Sequence, residues 1–187
     1  MSDGRIQPEM IVGLSAVFIG VCALAVSVYE TQLMREEQRA SVLPILELSR
    51  SYYISEDAEN RAAWRMSFQV ENVGIGPARV LDFSVTVDGE PQNDWRTAIR
   101  ELIGRDVLVA YGQSTINGRT IPPERQVTMF DLTNTELAHD IKKEIDRLDF
   151  TACFCSVYDE CWITSYSAFG GSTPVEQCVA SEASFTD

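Results

Sequence analysis

Four of the five cysteines stand in the last quarter of the chain, at Cys153, Cys155, Cys161 and Cys178, and their thiols are the side chains whose grouping suggests chemistry. Three states fit them. Paired, they form two disulfides in an oxidising compartment, and four cysteines allow three pairings. Around an ion they would make a zinc site, although Cys-x-Cys followed by steps of 6 and 17 positions departs from the usual Cys-x₂₋₄-Cys spacing. Reduced and buried, they are small core residues of a cytoplasmic protein. A reactive thiol needs a nearby cation or helix N-terminus to lower its pKa, and the adjacent Asp159 and Glu160 carry the opposite charge.

Strand geometry narrows the pairing. DFTACFCSVY, from Asp149 to Tyr158, reads as a strand and CWITSYSAF, from Cys161 to Phe169, as its hairpin partner across Asp159-Glu160. Cys153 and Cys155 then share a face with Cα atoms nearly 7 Å apart, at the edge of disulfide geometry, so they do not bond each other. A two-residue loop sends Cys161 to the face opposite Cys155. A three-residue loop makes the two diagonal neighbours on one face. Cys178, in the tail after Gly170-Gly171-Ser172-Thr173-Pro174, reaches either Cys153 or Cys155.

Other chemistry is sparse. His139 is the sole histidine, next to Asp140 and near Asp131 in sequence, which would suit a general base but more simply describes a surface residue. Glu56-Asp57-Ala58-Glu59 lacks the spaced ligands of a calcium loop and reads as a solvated hairpin tip. The chain has no G-x-S-x-G elbow, Walker loop, dinucleotide-binding glycine motif or H-E-x-x-H helix. The expectation is a noncatalytic protein without catalytic residues, cofactor or resident metal; Cys153, Cys155, Cys161 and Cys178 are the alternative metal or redox set.

The elements that must position these residues follow from patterning. Trp64, Met66, Phe68 and Val70 share one parity, as do Leu81, Phe83, Val85 and Val87, giving two half-buried strands. Asn72 to Ala78 is the tight connector between them, with glycines free to take positive φ and a proline barred from a central ladder. Asp88-Gly89 closes the second strand as a turn. Val42–Leu48, Val107–Tyr111 and Gln126–Leu132 are further strand candidates. Trp95–Ile103 and Thr135–Leu148 read as two short amphipathic helices, the second capped at Thr133-Asn134. The class is therefore mainly β: an antiparallel sandwich at 42–169 with two short helices, followed by an irregular acidic tail at 170–187.

Upstream, Met10–Tyr29 is a run of 20 uncharged residues, about 30 Å as a helix, which matches a bilayer core. Ala23-Leu24-Ala25 mimics a signal cleavage site, but the apolar run continues through Val26, Val28 and Tyr29. Ile19-Gly20-Val21 lacks the small residue a lipoprotein cysteine at Cys22 would need before it, and the run has no amphipathic face. The small residues Gly13, Ser15, Gly20, Ala23, Ala25 and Ser27 are ordinary in a span. The expected organisation is a tail at 1–9, a transmembrane helix at 10–29 and a helical stalk at 30–41 ending before Pro44. Arg35 and Arg39 against Arg5 lean by one residue toward a cytoplasmic domain, a bias that long domains override; two disulfides would place it outside.

The chain carries 28 acidic against 15 basic residues, a net charge of −13. Such a surface does not suit nucleic acid or anionic lipid headgroups. The partners expected are the bilayer, through residues 10–29, and an unidentified protein; the oligomeric state is left open.

The stretch NVGIGPARVLDFSVTVDG between two alternating strands resembles the strand-turn-strand of immunoglobulin-like adhesion and CARDB-type modules of bacteria. The order of apolar span, MREEQRAS (Met34 to Ser41), NVGIGPA (Asn72 to Ala78) and CFCSVYDECW (Cys153 to Trp162) is similar to an uncharacterised group of bacterial single-span proteins. That resemblance implies a membrane-anchored β-sandwich. The location expected is the inner membrane, with the C-terminal domain periplasmic and a cytoplasmic domain as the alternative. It supplies no catalytic residue. The function expected is that of an interaction or scaffold module.

Overall fold

A computed structural model describes residues 8–56, 62–168, 171–179 and 185. The chain divides into two compact units, Met1–Ser41 and Val42–Asp187. In the first, one α-helix (α1, Pro8–Ala40) carries the apolar run and the charged segment after it without a break. Its apolar side chains, from Val12 to Tyr29, are exposed all round, and the helix is long and apolar enough to cross a membrane. Thirty-three residues extend it to about 50 Å.

The second unit is mainly β, two antiparallel sheets with a common core. One sheet runs β1 (Leu46–Glu56), β2 (Ala62–Asn72), β7 (Arg125–Thr133) and β5 (Gly112–Gln113). The other runs β10 (Ser172–Val175), β9 (Cys161–Ser165), β8 (Leu148–Cys155), β3 (Ala78–Val87) and β4 (Glu90–Gln92), with β6 (Thr120–Ile121) paired to β3. Phe68 from the first sheet meets Phe150 from the second at 5.2 Å between ring centroids, and Trp95 stacks on Phe68 at 5.4 Å. The alternation read from the sequence is what fills this space: Met66, Phe68 and Val70 on β2 and Phe83, Val85 and Val87 on β3 are buried.

Two bulges alter the expected faces. Between Val80 and Asp82 the β3–β8 register shifts by one, so Leu81 turns outward at 44% exposure while Ala78 and Val80 take the inward positions before it. A second shift, at Phe68/Gln69 against β7, lets the consecutive Met129 and Phe130 both be buried.

Helix α2 (Trp95–Ile103) is capped by Asp94, whose Oδ1 accepts the Thr97 amide at 2.7 Å, and ends at Gly104 with φ +68°. Helix α3 (Thr135–Lys143) is capped by Asn134, whose Oδ1 accepts the Leu137 amide at 2.9 Å. It stops short of the expected Leu148. A 3₁₀ turn at Ile145–Arg147 redirects the chain, the Arg147 carbonyl accepts the Asp88 amide, and Leu148 opens β8.

Three further expectations are corrected. The strand expected at Val42–Leu48 begins at Leu46 and runs on to Glu56, because the Leu43 and Ile45 carbonyls are taken by the amides of Val73, Ile75 and Gly76 in the connector. Val107–Tyr111 makes no ladder. Val107, Val109 and Tyr111 lean on the core and Leu108 is 92% exposed, and only Gly112–Gln113 pair with β7. The tail expected to be irregular contributes β10, and it buries Phe185 against Trp95 at 5.2 Å and Phe83 at 5.5 Å. The expected hairpin tip at Glu56-Asp57-Ala58-Glu59 lies mostly outside the described residues; β1 and β2 pair up to Glu56 and Ala62 on its two sides.

Candidate functional site

The four domain cysteines converge on one end of β8. Cys155 pairs directly with Cys161 across the β8–β9 hairpin, at a Cα separation of 4.0 Å, and the two are joined as a disulfide. Neither short loop weighed from the sequence forms. The connection is Ser156–Glu160, closed by the Ser156 amide on the Glu160 carbonyl at 2.8 Å, with Asp159 at φ +60°. Because that next pair is the hydrogen-bonded one, Cys155 and Cys161 occupy a close non-hydrogen-bonded position. The loop thus brings them face to face rather than diagonally.

Cys178 reaches back from the segment after β10 to bond Cys153, at a Cα separation of 5.6 Å. Cys153, Cys155 and Cys161 are buried. The two bridges touch, with Cys155 Sγ 3.8 Å from Cys178 Sγ, and the sulfurs of Cys155, Cys161 and Cys178 all lie within 4.8 Å of one another. As disulfides these sulfurs offer no thiolate to a metal or substrate. The free cysteine is Cys22, on α1.

Among the described residues His139 has no carboxylate partner of the kind its sequence neighbours suggested. Its Nδ1 lies 3.2 Å from the Tyr52 hydroxyl, and its ring meets Trp64 edge-on at 5.6 Å. Asp131 is held by Arg65, whose Nε donates to Oδ1 at 2.7 Å. Asp140 accepts from Arg105 at 2.7 Å and from Lys143 at 3.3 Å, and the Arg105 hydrogen bond holds its carboxyl below the ordinary range. A depression of about 460 Å³ between α2 and α3 is lined by charged groups that are largely paired in this way, Arg147 with Asp88 and Glu144 among them.

A second site was not singled out from the sequence. Along β1, the outermost strand of its sheet, a cleft of about 610 Å³ opens beside Glu47, Leu48, Ser49 and Arg50. Consecutive residues line it, so it follows the free edge of the strand rather than one face. Its opposite wall is Ile145, Asp146, Leu148, Tyr166 and Ser167. Arg50 shares the inward parity of Leu46, Leu48 and Tyr52 and sits over the Tyr166 ring at 5.8 Å, and Tyr166 in turn stacks on Phe150 at 4.7 Å. The Nη1 of Arg50 is buried with no hydrogen-bond partner among the described residues. The signal was in the sequence: in LELSRSYYI a charged residue occupies a core-facing position. A strand ending at Leu48, as the sequence suggests, stops short of Arg50, which lies within β1.

No protein-family model matches the chain, and no curated protein is found to match it.

Proposed function

We propose that the chain is a noncatalytic interaction or scaffold module of the bacterial inner membrane, with Met10–Tyr29 as a single span and an immunoglobulin-like sandwich on the periplasmic side. The observation that carries this reading is the pair of touching disulfides, Cys153–Cys178 and Cys155–Cys161. They occupy every cysteine of the domain as staples, which leaves no thiol there for catalysis, and such bridges persist in oxidising compartments. The acidic surface and the unpaired edge of β1 are then the features left for a partner to meet.

A second reading, a thiol-based redox or metal-binding protein using Cys153, Cys155, Cys161 and Cys178, is favoured by one fact. The sulfurs of the two bridges are in contact. Against it, the cation beside the loop, Arg79, is already paired with Asp159 at 2.8 Å rather than left to lower a thiol pKa.

One crosslinking experiment tests the first reading. Cells with a permeabilised outer membrane are treated with a membrane-impermeant amine- or carboxyl-reactive crosslinker, and the full chain is compared with a chain lacking residues 42–187. A discrete adduct that needs the domain is expected. An adduct formed only by a permeant reagent would move the domain to the cytoplasm, and no adduct with either reagent would remove the interaction reading.

A further inference from the structure

We infer that the cleft along β1 is a strand-addition site for an extended peptide segment carrying one acidic side chain opposite Arg50 and one basic side chain on the other face. This rests on the interaction reading above and names the partner's chemistry.

Three observations converge. Among the described residues no strand pairs with the outer edge of β1, so its backbone groups there are free to extend the sheet. The cleft beside that edge holds about 610 Å³. Arg50 lines it from an inward position, and its Nη1 is buried with no hydrogen-bond partner among the described residues. A buried guanidinium nitrogen without an acceptor is costly, and a carboxylate is the acceptor that satisfies it best. Lying on the wall formed by Tyr166, the guanidinium is already oriented.

An inward charge on an edge strand repels ordinary apolar strands. Here it also selects. A residue added opposite Arg50 points inward beside it, as any cross-strand pair does, and an opposite charge at that place is favourable. The position opposite Leu48 shares the face and meets Leu48, Leu148 and Ile145, so it takes an apolar side chain. The position opposite Glu47 lies on the outer face. There Glu47 already stands across from Glu71, a like-charge pair that a cation on the added strand relieves. The period of two fixes the spacing. An antiparallel peptide reads acidic-x-apolar-basic, and a parallel one basic-apolar-x-acidic.

The test pans a display library of randomised heptapeptides against the full chain in lipid nanodiscs, with empty nanodiscs as counter-selection. Selected peptides are then titrated by fluorescence anisotropy against wild type, Arg50→Gln and Arg50→Glu. Circular dichroism and non-reducing mass confirm that each variant keeps its fold and bridges. The inference expects enrichment of the acidic-x-apolar-basic order or its reverse. It also expects at least tenfold weaker binding to Arg50→Gln, and a shift to peptides basic at the acidic place for Arg50→Glu. An internal peptide with an amidated C-terminus should bind as well as the free acid, which assigns the carboxylate to a side chain. Enrichment of peptides indifferent to Arg50, or no enrichment over empty nanodiscs, overturns the site. The interaction reading itself falls only if the domain-dependent crosslinked adduct is also missing.

Discussion

Asn72 ties four backbone groups together through one side chain. Fully buried, its Nδ2 donates to the carbonyls of Gly76 at 2.8 Å and Ile121 at 2.9 Å, while its Oδ1 accepts the amides of Gly74 at 3.1 Å and Ile45 at 3.3 Å. Replacing it with Leu leaves these backbone groups unpaired inside the domain. Each such group costs on the order of 1–3 kcal/mol, so urea unfolding of Asn72→Leu should lose at least about 3 kcal/mol. Gly74 and Gly76 serve the same junction, though not as the sequence suggested. Neither takes a positive φ. A Cβ at Gly76 would overlap the Val42 carbonyl and one at Gly74 the Leu43 carbonyl, so close approach of backbone is what excludes a side chain. Gly76→Ala should therefore destabilise by about 2–3 kcal/mol in the same assay, as overpacked sites do. Residue types told where the turn lies. Its internal bonding depends on Ile45 and Ile121, which are distant in sequence and carry no local mark of the contact.

At the scale of elements, periodicity located β2, β3, β7, α2 and the start of α3 because each has a hydrophobic face that a single buried side commits. What local pattern does not record is a bulge or a long-range staple. Leu81 has the inward parity of Phe83, yet the register shift on β8 turns it out; the tail looks too polar to order, yet β10 is held on β9 and tied to β8 by Cys178. The bridges make a quantitative contrast. Cys153–Cys178 spans 25 positions and Cys155–Cys161 spans 6. By loop-closure entropy, serine replacement of the first pair should cost about 3–4 kcal/mol and of the second about 2 kcal/mol. Denaturant midpoints of the two double variants, Cys153→Ser with Cys178→Ser and Cys155→Ser with Cys161→Ser, should fall in that order. A reversal would mean that the tail contributes little to the folded domain.

For the whole molecule, charge and the apolar helix set the working conditions. With a net charge of −13 the chain is strongly acidic, and its ion pairs among the described residues are mostly at the surface. The hydrogen bond from Arg147 holds the Asp88 carboxyl below its ordinary value of 3.8, and that from Arg105 does the same for Asp140. A carboxyl with a depressed folded pKa adds stability above about pH 3.8, and that stability is lost as pH falls through the lower folded value. The arginines stay charged throughout. Thermal midpoints should thus hold through neutrality and fall below about pH 4, and Asp88→Asn with Asp140→Asn should flatten that acid slope. The 20-residue apolar run was legible at sight, as was the mainly β domain after it. The cleft at Arg50 was not, since its far wall at Ile145, Tyr166 and Ser167 is assembled only by the pairing of sheets.

Mass-tagging tests the proposed bridging of the domain most directly. Full-length chain from native membranes is quenched in acid, denatured without reductant and treated with a maleimide of known mass. One label per chain is expected, on Cys22, rising to five after reduction. Five labels without reductant would contradict the account.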